Sequence, residues 1–176
     1  MYIHGEKEVA FIAHPRTASQ ATSKVLVNRR GFEAEMSHHQ YKELPAGWIV
    51  FSTVRDPFDL FVSWYYLEMF KTKHDYHFPT WLRQRVAEPN HYMQSGLFFG
   101  QHLCTHTLRY ENLQEDFNQL MVEIGFPPAE IPWRNVSEKR AGRDFADYYT
   151  PELIDLVVDR YSDTICNHGY TIPRST

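Results

Sequence analysis

The chain has 176 residues, of which 43% are hydrophobic and 15% aromatic. That length suffices for one domain, residues 1–176, with a full core, and that composition excludes a disordered chain. A net charge of −4 excludes a general nucleic-acid binder, which needs a basic face, and no apolar run approaches the ~20 residues that span a bilayer.

The opening residues, MYIHGEKEVAF, lack the long apolar core of a secretory signal. Cys104 and Cys166 have no metal-ligand spacing and lie in apolar segments. Together these features read as two buried thiols in a reducing, cytoplasmic protein that neither crosses a membrane nor holds a metal.

Residues 9–13, VAFIA, form a short apolar run that reads as a buried strand. A polar loop follows, and residues 20–30 continue as a helix that Gly31 ends. Residues 32–36 suit a second short strand. Residues 48–54, WIVFSTV, are β-branched and aromatic and apolar on both faces, as in the middle of a covered parallel sheet. Asp56 and Pro57 then suit the cap and first position of a helix over 58–71, which is apolar almost all round.

A further helix is expected over 80–86 and an irregular loop over 88–101. Residues 102–109 alternate as a strand. Asn112 and Glu115 have capping-box spacing ahead of a helix with Leu113, Phe117, Leu120, Met121 and Ile124 on one face. Thr150-Pro151-Glu152 opens a last helix that Gly169 closes. Strands alternating with helices predict an α/β fold, a three-layer sandwich around a mainly parallel central sheet.

Two turns carry the chemistry. A strand feeding a helix through a tight loop leaves backbone N–H groups free at the helix start, where the dipole favours an anion. At the first such turn, Arg16 adds a cation and Thr17, Ser19 and Thr22 add hydroxyls. The G-x-x-x-x-G-K-[ST] signature is absent, which counts against a small P-loop-like phosphotransferase. At the second turn Arg55 ends the central strand, on the side of a parallel sheet where ligands bind, with helix amides and Ser63 beyond it. Two such elements suggest a ligand with two separated anionic groups.

The stretch HPRTASQATS, residues 14–23, resembles the 5′-phosphosulfate loop of the sulfotransferases, usually His-Pro-Lys-Thr followed by small residues. TVRDPFDLFVSWYY is similar to their 3′-phosphate motif, matched at Val54, Arg55, Asp56, Pro57, Ser63 and Tyr65. LRYENL, YYTPEL and Gly169-Tyr170 resemble recurring segments later in that family. The matches occur in order over nearly the whole chain.

The resemblance implies a P-loop NTPase-like fold and a donor, 3′-phosphoadenosine 5′-phosphosulfate, which leaves as adenosine 3′,5′-bisphosphate. The acceptor is a glycan or other alcohol, or an amine. By carry-over, Arg16, Thr17, Ala18, Ser19, Gln20, Ala21 and Thr22 hold the 5′ phosphosulfate, with Arg16 in place of the usual lysine. Arg55 and Ser63 hold the 3′ phosphate, and Lys139 and Arg140 add a contact in a basic segment that reads equally as a solvated loop. His38 or His39, ahead of Lys42-Glu43-Leu44, supplies the base, and the spacing favours His38. Arg16 stabilises charge but gives up no proton. These departures in the first loop leave a non-catalytic nucleotide-binding relative as the alternative.

Overall fold

The computed structural model describes residues 1–36, 41–87, 100–132 and 143–174. It is an α/β protein with a five-stranded mixed sheet and five α-helices among those residues. Two compact units make it up, each from two stretches of chain: Met1–Arg55 with Phe99–Arg134, and Asp56–Phe98 with Asn135–Thr176.

The first unit holds the whole sheet: β1 (Tyr2–His4), β2 (Val9–Ile12), β3 (Glu33–Ala34), β4 (Ile49–Val54) and β5 (His106–Arg109), in the order β3-β1-β2-β4-β5. Strand β2 pairs in parallel with β4, and β4 with β5. β1 is antiparallel to both β2 and β3, so the sheet is mixed and not mainly parallel as its sequence suggests. The reason is the connection between β1 and β2. A single 3-10 turn, Gly5–Lys7, and the left-handed Glu8 (φ 55°) join them, and so short a link can only serve antiparallel neighbours. Three residues of strand offer no alternation from which β1 could be read.

Alternation along the central strands sorts the core. Val9, Phe11 and Ala13 face one side, where they meet Phe51, Leu108 and two helices, α1 (Ser19–Arg30) and α4 (Leu113–Glu123). Ala10, Ile12 and Val50 face the other, covered by Met1, Tyr41, Leu44, Trp48 and Leu103. Phe11 and Phe51, both fully buried with ring centroids 5.0 Å apart, each contribute about 1.5–3 kcal/mol by burial. Gly100 lies on this second side at φ +73°, where a Cβ would come within 2.9 Å of Ile12 Cδ1 and Tyr41 Cγ. No other residue fits there without a shift.

The second unit is helical: α2 (Pro57–Thr72), α3 (Phe78–Ala87), a 3-10 turn at Phe145–Tyr148, and α5 (Pro151–His168). Its core is aromatic. The Tyr65 ring lies 5.2 Å from Phe78 and 5.4 Å from Trp81, and Phe61 packs edge-on to Tyr161. Tyr65, Phe78 and Trp81 are all buried. Glu68 accepts a hydrogen bond from Trp81 Nε1 and pairs with Arg85, tying α2 to α3. Tyr66 and Tyr148 share a 2.5 Å hydrogen bond, and burial together with that bond pushes the Tyr66 hydroxyl up to about 12.

Several elements differ from the sequence reading. The strand expected over 32–36 shrinks to the exposed pair Glu33–Ala34 at the sheet edge. The one expected over 102–109 begins as a 3-10 turn, Gln101–Leu103, before β5. Asn112 makes no capping bond to α4. Instead Asp116 accepts from Arg109 N and from Asn112 Nδ2, each at 2.7 Å, fixing the turn with a carboxylate one residue beyond Glu115. Of the two thiols, Cys104 is pushed up to about 12 by burial, but Cys166 is exposed. The α5 helix turns Cys166 away from its apolar stripe of Leu153, Val157, Tyr161 and Ile165.

Candidate functional site

Strands β2, β4 and β5 run parallel and end side by side, with Ile12 opposite Ser52 and Val54 opposite Arg109. The chain leaving each strand therefore meets at one edge of the sheet, the edge at which parallel sheets bind ligands. The loop 13–18 leaves β2, Arg55 leaves β4, and Tyr110 leaves β5.

The loop is stitched from within. His14 is buried, and its Nδ1 shares a 2.8 Å hydrogen bond with the Ser52 hydroxyl on β4. Thr17 is wholly buried. Its hydroxyl donates to the His14 carbonyl at 2.9 Å and lies 2.5 Å from the Thr53 hydroxyl. Two residues of this loop other than glycine, Arg16 (φ 63°) and Ala18 (φ 59°), are left-handed, a conformation that costs roughly 1–2 kcal/mol each.

Left-handed turns of this kind rotate successive N–H groups toward one side, the geometry of backbone anion sites. Ala18 then serves as N-cap of α1 without a side-chain hydrogen bond, and no acidic residue occupies the first turn. The Ala21 and Thr22 amides donate to Ala18 O at 2.9 and 3.1 Å. The amides of Ser19 and Gln20 precede that first ring and have no partner within the helix. A helix start without a capping side chain or an acid suits an anion.

Of the three hydroxyls that the sequence offers to such an anion, two turn elsewhere. Thr17 donates inward as described, and Thr22 Oγ1 donates to Ala18 O at 3.3 Å. Both are side chains of buried residues whose protons are taken by nearby carbonyls, so what they bring to the site is backbone.

Arg55 is 6% exposed and held on two sides. One terminal nitrogen, Nη1, donates to the Arg16 carbonyl at 2.8 Å, and the guanidinium carbon lies 3.9 Å from the centre of the Tyr110 ring. The structure thus brings together residues 16–22 and Arg55. Ser63, 7% exposed, lies on α2 in the second unit. His38, His39, Lys139 and Arg140 lie outside the described residues.

The sequence offers the first amides of α2 to a second anion. Pro57 has no N–H, and the Phe58 amide donates to its own cap, Asp56 Oδ1, at 2.8 Å. Sequence reasoning missed three residues that shape this edge: His14, Tyr110 and Thr53. The signal for His14 was present, a polar residue closing an apolar strand ahead of proline. Tyr110 and Thr53 lie in stretches that the sequence singles out, but their contacts depend on strand order.

A shallow groove of about 870 Å³ runs along α4, past Glu111, Glu115 and Val122. Two of its amides, Gln114 and Asn118, are occupied in bonds to residues 129–131, so it presents little recognition chemistry. Among the described residues no helix is long and apolar enough to cross a membrane, and no group of three or more His, Cys, Asp or Glu side chains is placed to hold a metal ion. No family model, curated protein or solved structure matches this chain.

Proposed function

We propose that the protein is a sulfotransferase. It passes a sulfuryl group from 3′-phosphoadenosine 5′-phosphosulfate to a hydroxyl, or an amine, of an acceptor such as a carbohydrate or other alcohol. A three-layer, P-loop NTPase-like architecture and a cytoplasmic setting belong to the same reading, the latter supported by two cysteines that form no disulfide. One observation carries the proposal: a helix whose N-terminus lacks both a capping side chain and a first-turn acid, set behind a left-handed loop that holds Arg16 and is bonded to Arg55. Backbone donors beside two cationic side chains suit a phosphosulfate.

In this reading the backbone of residues 17–22 holds the 5′ phosphosulfate, and Arg55, Ser63, Lys139 and Arg140 serve the 3′ phosphate. The donor supplies the sulfuryl group, and transfer needs in-line positioning and charge stabilisation more than covalent help. Arg16, permanently charged, stabilises negative charge building on the oxygen that leaves sulfur. His38, or else His39, accepts the acceptor's hydroxyl proton as the new bond forms.

Calorimetry tests the binding half. Adenosine 3′,5′-bisphosphate should bind about tenfold or more tighter than adenosine 5′-phosphate, as expected for one added charge-assisted site. Equal affinities would sink the two-anion reading. Transfer of labelled sulfate to a panel of alcohols, amines and glycans tests the chemistry, and its absence in the presence of tight bisphosphate binding favours the non-catalytic relative. Within that assay, Arg16→Ala should lower kcat more than nucleotide affinity, and the His38→Ala, His39→Ala double variant should lose ~10²–10⁴-fold in turnover.

A further inference from the structure

We infer that Arg55, clamped by Tyr110, is the residue that sets the anion loop, so that it governs the 5′ end of the ligand as well as the 3′ end. This inference rests on the nucleotide reading for its binding arm but not for its structural one.

The observations are geometric. Arg16 is left-handed without being glycine, so something must hold its peptide in place. Arg55 Nη1 donates to its carbonyl at 2.8 Å, a charge-assisted bond between the end of β4 and the middle of the loop. A guanidinium on a flexible stem would lose much of that bond's worth to rotamer freedom. Arg55 is 6% exposed, and the Tyr110 ring lies against its face at 3.9 Å, leaving it little room to turn.

The three residues leave or follow three adjacent strands, so the tie joins the loop to the two strand ends beside it. The Arg16 peptide lies two residues ahead of Ala18, whose carbonyl starts the hydrogen bonds of α1. Holding Arg16 therefore fixes where the first-turn amides of α1 point.

The tie and a simple 3′-phosphate ligand predict different things. If Arg55 served the 3′ phosphate alone, Arg55→Ala would weaken adenosine 3′,5′-bisphosphate and leave adenosine 5′-phosphate unchanged. With the tie, adenosine 5′-phosphate also weakens, by about tenfold, the worth of one charged hydrogen bond. Tyr110→Leu should do the same to a smaller extent, and Tyr110→Phe, which keeps the ring, should restore wild-type affinity.

The deciding measurement needs no ligand. Amide hydrogen exchange of the free protein is followed at Ala21 and Thr22, both bonded to Ala18 O, with Phe11 and Phe51 in the central strands as reference. Exchange about tenfold faster at Ala21 and Thr22 in Arg55→Ala, with the strand amides unchanged, supports the tie. Unchanged exchange at Ala21 and Thr22, or equal acceleration in the strands, overturns it. Should Arg55→Ala fail to fold, Tyr110→Leu against Tyr110→Phe makes the same comparison. If the wild type binds neither nucleotide while Ala21 and Thr22 respond as stated, the tie stands and the nucleotide reading falls.

Discussion

Two strand-to-helix junctions of this chain look alike in sequence and differ in what they leave available. After β2, α1 starts on Ala18, left-handed and without a capping bond, and its first turn carries no acid. After β4, α2 starts on Asp56, whose carboxylate takes the Phe58 amide, with Pro57 contributing no N–H and Asp59 following in the first turn. The first helix has kept its positive end open. The second has filled its own with a carboxylate. A basic residue ahead of a helix does not by itself bring the helix amides to an anion, because the cap decides whether they are free to serve one.

The largest effect should come from making the first junction resemble the second. Ala18→Asp puts a carboxylate at the open end of α1, at a left-handed position that Asp tolerates better than Ala. The side chain then competes with any phosphate and repels it. Affinity for adenosine 3′,5′-bisphosphate should fall by about tenfold or more, while the melting temperature holds or rises. A variant that keeps wild-type affinity would show that the ligand does not use the N-terminus of α1.

Much of this contrast could be read from the residues. Asp56-Pro57 announces a capped helix, and Gly31 and Gly169 end α1 and α5 in the left-handed conformation that glycine permits. The central strands followed from WIVFSTV and VAFI, runs too apolar for any place but the middle of a sheet. What could not be read was whatever depends on which strands are neighbours. Thr17 and Thr53 are 36 positions apart and share a hydrogen bond only because β2 lies beside β4. Arg55 meets Tyr110 only because β5 lies on the other side. The hydroxyls of Thr17 and Thr22 look like ligand donors in the sequence, and only the fold shows that each donates to a backbone carbonyl.

The next effect is on stability, at the stitch that holds the open loop. Thr17→Val keeps the shape of a wholly buried side chain and removes its bonds to the His14 carbonyl and the Thr53 hydroxyl. Leaving buried polar groups without that partner should cost about 1–3 kcal/mol in chemical denaturation. Adding Thr53→Val removes the other hydroxyl and should recover part of the loss, since two apolar groups of the same shape face each other without penalty. A double variant as unstable as the sum of the singles would mean the two hydroxyls do not interact.

The smallest effects belong to the closed junction, and they separate its charge from its hydrogen bond. Asp56→Ala removes both, and loss of an N-cap costs ~1 kcal/mol, within a range of about 0.5–2. Asp56→Asn keeps an oxygen that can accept from the Phe58 amide and removes only the charge at the positive end of α2. That step should cost about 0.3–1 kcal/mol at low ionic strength and shrink as salt is added. Denaturant midpoints for the three proteins at two salt concentrations measure both terms. The two variants should also respond to inorganic sulfate as the wild type does. Opening the cap of α2 removes the acceptor of the Phe58 amide, beside a proline that has no N–H, and leaves the Asp59 carboxylate in the first turn to repel an anion. Sulfate that stabilises Asp56→Ala more than the wild type would show that α2 has an anion site which its own aspartate covers, and the contrast between the two junctions would then be one of degree.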